Sequence, residues 1–258
     1  MGRLPVPRTV FPHLGGKGGL APLLPSPLCR LIVEPFGGAA AYSFLHHAGH
    51  DVWVNELNPC TYSIWEFLQW TDAFRVIQSD WPKSVRIGQH LDALVTNPAH
   101  PGFLELVRAY INLGTYGMTG VRQVVTKDAA GHWSQYKPRF TVILPIVARW
   151  KITNLDYRQL DDVDGCWLID PPYNNVAGRK YEFKLPPEAY PQLAEWCLNR
   201  RGHLLVTEQT GSPWLPFRPL TNRRMGFTSL YKKDPRGDVY YERLPQSLIE
   251  GPLADLTF

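Results

Sequence analysis

Arg30-Leu31-Ile32-Val33-Glu34-Pro35-Phe36-Gly37-Gly38 is a short apolar run that breaks into a glycine-rich turn. A run of this length, closed off by Pro and Gly, reads as a buried strand. The residues that follow, Ala39 to His47, read as a helix, and Gly49 is placed to stop it. Asp51-Val52-Trp53-Val54 then reads as a second strand and Pro59 to Trp70 as a second helix. Strand–helix–strand order is the unit of a parallel sheet, because parallel neighbours need a crossover connection. The pattern returns at Ile152-Thr153-Asn154-Leu155 and at Cys166-Trp167-Leu168-Ile169. A helix around Pro187–Arg200 and a strand at His203-Leu204-Leu205-Val206-Thr207 follow. Thr228–Tyr231 and Val239–Glu242 flank a polar turn and read as an antiparallel hairpin on one edge of the sheet. The expected fold class is α/β.

Between residues 71 and 139 the pattern changes. A helical stretch near Phe103–Leu113 gives way to a polar, Gly-containing segment, Gly114 to Tyr136. There, Val121–Val125 and His132–Tyr136 could pair across a turn at Asp128–Gly131. The expectation is a discontinuous catalytic domain, residues 1–70 and 140–258, carrying a partly helical insert at 71–139.

With 258 residues the chain can form one large α/β domain, or a core with a small insert. A composition 44% hydrophobic and 19% charged excludes a disordered chain. The net charge of +4 and pI of about 8.8 suit a polyanionic partner without requiring one. Cys29, Cys60, Cys166 and Cys197 are widely spaced and form no Cys-x-x-Cys pair, which argues against a zinc site or a disulfide framework. No stretch approaches the roughly 20 apolar residues of a membrane helix. The expected setting is therefore a reducing cytoplasm, with no membrane and no metal. His46, His47 and His50 resemble a metal cluster, but Gly49 interrupts their helix and no carboxylate completes a site. Arg236-Gly237-Asp238 reads as a turn.

Asp170-Pro171-Pro172-Tyr173 carries the sharpest chemical signal. It follows the strand Cys166–Ile169 directly, and ligands bind at the carboxyl ends of strands in open α/β sheets. The two prolines stiffen the turn and remove two backbone donors, which frees the Pro171 carbonyl to accept. Asp170 offers a second acceptor and Tyr173 a flat face. Two acceptors and an aromatic ring suit a planar ring bearing an amino group. The plainer alternative is a strand-ending Asp-Pro turn with a packed Tyr. In the turn Glu34-Pro35-Phe36-Gly37-Gly38-Ala39-Ala40, the glycines allow close backbone approach to a ligand. Glu56, past the next strand, is placed to accept from ribose hydroxyls. The alternative there is a helix-packing turn and a surface carboxylate. His13-Leu14-Gly15-Gly16-Lys17 is not a P-loop, since Gly18 stands where Ser or Thr is needed.

In chain order, with an insert between Glu56 and Asp170, these segments resemble the Dam-like, alpha-class DNA adenine methyltransferases. The family's aromatic-x-Gly-Gly-Lys segment is matched by His13-Leu14-Gly15-Gly16-Lys17. Its Glu-Pro-Phe-x-Gly-Gly-Gly turn is matched by Glu34 to Ala40, and its Asn-Asp-hydrophobe-Asn-Pro segment by Asn55-Glu56-Leu57-Asn58-Pro59. Leu155-Asp156-Tyr157 matches Gly-Asp-Phe, and Asp170-Pro171-Pro172-Tyr173 is the family's catalytic tetrapeptide. Three departures are His13 for Trp or Tyr, Ala39 and Ala40 for glycines, and Glu56 for Asp.

The resemblance implies a Rossmann-like sheet that binds S-adenosylmethionine. It implies that His13, Lys17, Glu56 and Asp170 lie around that cofactor together with Glu34, Phe36, Gly37 and Gly38. It further implies that Asp156 accepts from the cofactor's adenine. The insert is then the target-recognition region for double-stranded DNA, with Arg122, Lys127, Trp133, Lys137 and Arg139 as candidate contacts; the basic residues among these read equally as solvated charge. The expected reaction is methyl transfer to the exocyclic amine of a flipped adenine. The same chemistry on the cytosine amine or on RNA, and a DNA-binding protein with a vestigial core, stay open.

Overall fold

The computed structural model describes residues 8–72, 90, 101–112, 116, 135–174, 178–220 and 238–249. Along the chain run β1 (Leu31–Glu34), α1 (Ala41–His46), β2 (Asp51–Asn55), α2 (Pro59–Trp70), α3 (Pro101–Ile111) and α4 (Phe140–Val147). Then come β3 (Lys151–Thr153), β4 (Gly165–Ile169), α5 (Ala189–Leu198), β5 (Gly202–Gln209), β6 (Arg218–Pro219), β7 (Asp238–Arg243) and the short α6 (Gln246–Ile249). The strands form one mixed sheet in the order β3-β2-β1-β4-β5-β7-β6. β1 to β5 are parallel, and β7 runs antiparallel to both β5 and β6. The protein is thus α/β, compatible with a Rossmann-like arrangement.

Side chains alternate across a strand, and here the alternation sorts the core onto two faces. Ile32, Val52, Val54, Cys166, Leu168 and Leu205 pack with α1, α2, α3 and α4. Val33, Trp53, Trp167, Ile169, Leu204 and Val206 pack with α5 and with Tyr157 and Leu160. A sheet covered on both faces needs apolar residues at every position, which is why these strands read as continuous apolar runs. Trp65 and Trp167, fully buried on opposite faces, anchor the two layers. Burial of each large apolar side chain contributes roughly 1.5–3 kcal/mol.

α2 begins and ends where the sequence places it. Asn58 caps it by accepting from Cys60 N at 2.9 Å, and Pro59 takes the first helical position. α1 is shorter than expected, starting at Ala41, because Gly38 and Ala40 both hold positive φ. α4 is an element the sequence reading passed over: its run Phe140-Thr-Val-Ile-Leu-Pro-Ile-Val is apolar nearly throughout and contains Pro145. The strand expected at Val239–Glu242 is β7, but its described hairpin-side partner is β6; Thr228–Tyr231 lies outside the described residues. The segment 71–139 contributes α3 to the body, where Leu106, Val107, Ala109 and Tyr110 share a core with Ile64, Trp65 and Leu68. The expected pairing of Val121–Val125 with His132–Tyr136 lies outside the described residues, apart from Gln135 and Tyr136, which are helical and not extended.

Candidate active site

The strand order reverses between β1 and β4, which opens a crevice at the carboxyl ends of these two strands. Glu34 ends β1, Glu56 follows β2, Asp170 follows β4 and Thr207 sits near the end of β5. A cleft of about 940 Å³, its open mouth included, lies there. Its lining brings together His13, Lys17, Glu34, Phe36, Gly37, Gly38, Glu56 and Asp170, eight positions that the sequence scatters over nearly 160 residues. Pro172, Tyr181 and Phe183 also line it.

Asp170 is held through a single oxygen. Its Oδ1 accepts from Lys17 Nζ at 2.7 Å and from Thr207 Oγ1 at 2.6 Å. Lys17 Nζ also donates to the Gly15 carbonyl at 3.1 Å and stands 4.6 Å from the centre of the Tyr173 ring. Burial alone would lower the Lys17 pKa, but the Asp170 charge and hydrogen bond outweigh it and the net direction is up. Tyr173 donates to Asp238 Oδ1 at 3.3 Å, and burial, with the charge of Asp170 behind it, pushes its phenol well above the usual range. Tyr190 donates its hydroxyl to the Pro172 carbonyl. Pro171 and Tyr173 are not themselves part of the cleft lining, and no described residue donates to the Pro171 carbonyl.

The turn after β1 is built on its own amides. Gly37 N donates to Asn55 O at 2.8 Å, Gly38 N to Glu56 Oε2 at 2.8 Å and Ala40 N to Gly37 O at 2.7 Å. A Cβ on Gly37 would collide with Val54 Cγ1 and come within 3.0 Å of Asn55 O, so this position admits glycine alone without movement. Ala40 takes φ +44°, where an L side chain is strained by about 1–2 kcal/mol, yet the turn forms. Glu34 Oε1 accepts from Ser43 N in the first turn of α1 at 2.8 Å. Burial pushes the Glu34 carboxyl up to about 7, against the Ser43 hydrogen bonds. Glu56 Oε1 accepts from Asn58 N at 2.8 Å, and burial raises its pKa as well.

These bonds decide what the turn can hold. In a dinucleotide-binding fold, the amides of this turn and of the helix start face a pyrophosphate. Here Ser43 N and Gly38 N are given to carboxylates, and a phosphate would meet Glu34 and Glu56 instead. A cationic or neutral ligand suits that floor. Each Glu56 oxygen keeps a second lone pair, so ribose hydroxyls can still donate to it.

His13 Nδ1 lies 2.8 Å from the Leu14 carbonyl, which can only accept, so Nδ1 carries the proton and Nε2 is left as an acceptor. Burial lowers the His13 pKa, which keeps the ring neutral near pH 7. Tyr181 closes the cleft over this segment by donating to Leu14 O at 2.9 Å.

Asp156 stands apart from this lining. It caps a single turn at Tyr157–Gln159, and Arg158 holds both its oxygens, at 2.8 and 2.7 Å. The Arg158 hydrogen bond keeps its carboxyl below the usual range. Phe36 lies 5.4 Å from Tyr157, ring centre to ring centre, and links that turn to the cleft. Of the candidate DNA contacts, Lys137 and Arg139 lie in a 3-10 turn leading into α4, with Arg139 stacked 4.3 Å from the Tyr136 ring centre. Arg122, Lys127 and Trp133 lie outside the described residues.

The structure gives Asn55, so far only part of a matched segment, a role, and adds Thr207 and Glu208 to the site. Asn55 staples three loops: Nδ2 donates to Pro35 O and Leu155 O, and Oδ1 accepts from Leu155 N and the Thr153 hydroxyl. Thr207 holds Asp170, and the buried Glu208 accepts from Asn174 N at 3.1 Å and Trp214 Nε1 at 3.1 Å, fixing the loop beyond Tyr173. The available signal was positional, since Thr207 and Glu208 are the polar residues ending an apolar strand next to β4.

Among the described residues, no three His, Cys, Asp or Glu side chains are grouped to hold a metal ion, and no helix is long and apolar enough to cross a membrane. No protein-family model matches the chain, and no curated protein matches it either.

Proposed function

We propose that this chain is an S-adenosylmethionine-dependent methyltransferase that modifies the exocyclic amine of a base in double-stranded DNA, adenine being the target by its motif order. One observation carries the reading. The carboxylate of Asp170, in the crevice between β1 and β4, shares a cleft with the Gly37–Gly38 turn and with Glu56. The sheet supports it, because an antiparallel strand slotted between β5 and β6 departs from the dinucleotide-binding order 3-2-1-4-5-6. The carboxylate floor supports it too, since it suits a cationic sulfonium better than a phosphate.

The cofactor, bound over Glu56 and the glycine turn, supplies an electrophilic methyl group. The chain's own part is to accept and align. Asp170, which lines the cleft, accepts a hydrogen bond from the amine, which helps free the nitrogen lone pair from the ring and offsets the positive charge that develops on it. Fixed acceptors of this kind need no reorganisation during the reaction. The base must leave its stack to reach the cleft, at a cost of a few kcal/mol.

The test has two arms. Calorimetry should show S-adenosylmethionine binding, weaker in Glu56→Ala by roughly 1–3 kcal/mol, the range for a lost charged hydrogen bond. Mass spectrometry of nucleosides from DNA incubated with protein and cofactor should show N6-methyladenine. N4-methylcytosine in its place would move the target to the cytosine amine. Absence of both cofactor binding and base methylation contradicts the reading.

A further inference from the structure

We infer that Thr207 is a positioning residue that fixes the Asp170 carboxylate so that its Oδ2 is the oxygen presented to the substrate amine; this rests on the methyltransferase reading. The strand register makes the pairing. Leu168 pairs with Leu205 and Ile169 with Val206, so the ladder carried one residue further sets Asp170 beside Thr207. Both residues keep the parity of Cys166, Leu168 and Leu205, so they face the same side of the sheet. The Thr207 hydroxyl donates to Oδ1 at 2.6 Å, and Lys17 Nζ reaches the same oxygen at 2.7 Å from the N-terminal segment.

Two donors from different elements on one oxygen stop the carboxylate turning. Oδ2 is left without a donor among the described residues, while Asp170 itself lines the cleft. Thr207 is 1% exposed and cannot touch a substrate, so it acts through Asp170. Lys17 alone is a point charge on a flexible stem, which neutralises a carboxylate without orienting it. Orientation is the hydroxyl's share.

Thr207→Val keeps the branched shape and removes the donor; Thr207→Ser restores it. Single-turnover methylation of DNA at saturating cofactor, calorimetric cofactor affinity and thermal melting are measured for wild type and both variants. The Val variant should lose roughly ten- to a hundred-fold in rate, the rate equivalent of one hydrogen bond to a charged group. Cofactor affinity and melting should stay near wild type, and the Ser variant should recover most of the rate. Loss of cofactor affinity or folded stability in step with the rate would mark Thr207 as merely structural and overturn the inference. So would a fully active Val variant or a Ser variant as slow as Val. A wild-type protein that methylates nothing overturns the methyltransferase reading itself, a different result from an active wild type beside an active Val variant.

Discussion

Glu34 shows how much one side chain can settle in this protein. It keeps the parity of Ile32, so it turns toward the α1 layer, where its carboxyl group accepts from Ser43 N instead of meeting solvent. It is 3% exposed, and burial holds its pKa at about 7 against an ordinary value of 4.5. A carboxyl whose folded pKa is raised adds stability below its unfolded pKa and loses that stability as pH rises through the folded value. The window here runs from about pH 4.5 to about pH 7. Glu34→Gln keeps an acceptor for Ser43 N and removes the titration. Relative to wild type, the variant should therefore gain stability as pH rises from 5 to 8, by a few kcal/mol at most. Urea unfolding across that range checks it. A wild-type-minus-variant difference that does not change with pH would mean Glu34 is not held as described. The sequence marks Glu34 as the residue before a turn and, through the resemblance, as one lying around a cofactor. That its carboxyl caps a helix depends on α1 starting at Ala41, which no local pattern announces.

At the level of elements, the turn between β1 and α1 depends on Gly37. Gly37→Ala would drive a methyl group against Val54 Cγ1 and the Asn55 carbonyl. Over-packing at such a contact costs typically about 1–3 kcal/mol. The melting temperature should fall, and cofactor affinity with it, because Gly38 N would be drawn away from Glu56. Differential scanning calorimetry and titration of the variant measure both; wild-type values for both would remove the turn from the site. Elements were legible where capping and periodicity agreed. α2 was read to the residue because Asn58 and Pro59 mark its start, and the parallel strands were legible because both faces of the sheet are covered. α4 was missed because an apolar run containing Pro145 has no polar face to show a helical period. β6 was missed because two residues, Arg218 and Pro219, carry no strand signal. Thr207 and Glu208 were missed because their partners, Asp170 and Asn174, become neighbours only once β4 and β5 pair.

For the molecule as a whole, the sheet order explains why one cleft gathers residues so distant in sequence. Parallel strands end on the same side, and the change of direction between β1 and β4 opens a crevice there. Eight of the residues that the resemblance sets around a cofactor line the cleft, while Asp156 is paired with Arg158 outside the lining. The charge distribution of the cleft, with carboxylates on the turn amides, was beyond the sequence because it depends on which donors fold onto Glu34 and Glu56. Under the proposed function, Asp170 aligns the amine that receives the methyl group. The most direct test of that alignment is single-turnover methylation of bound DNA at saturating cofactor, with thermal melting alongside, for Asp170→Asn and Asp170→Ala. Both variants should fold and bind cofactor. Both should lose about 10²–10³ in rate, as expected for one preorganised electrostatic group, with Ala at least as slow as Asn. A folded Asp170→Ala protein that methylates DNA at the wild-type rate would contradict the account.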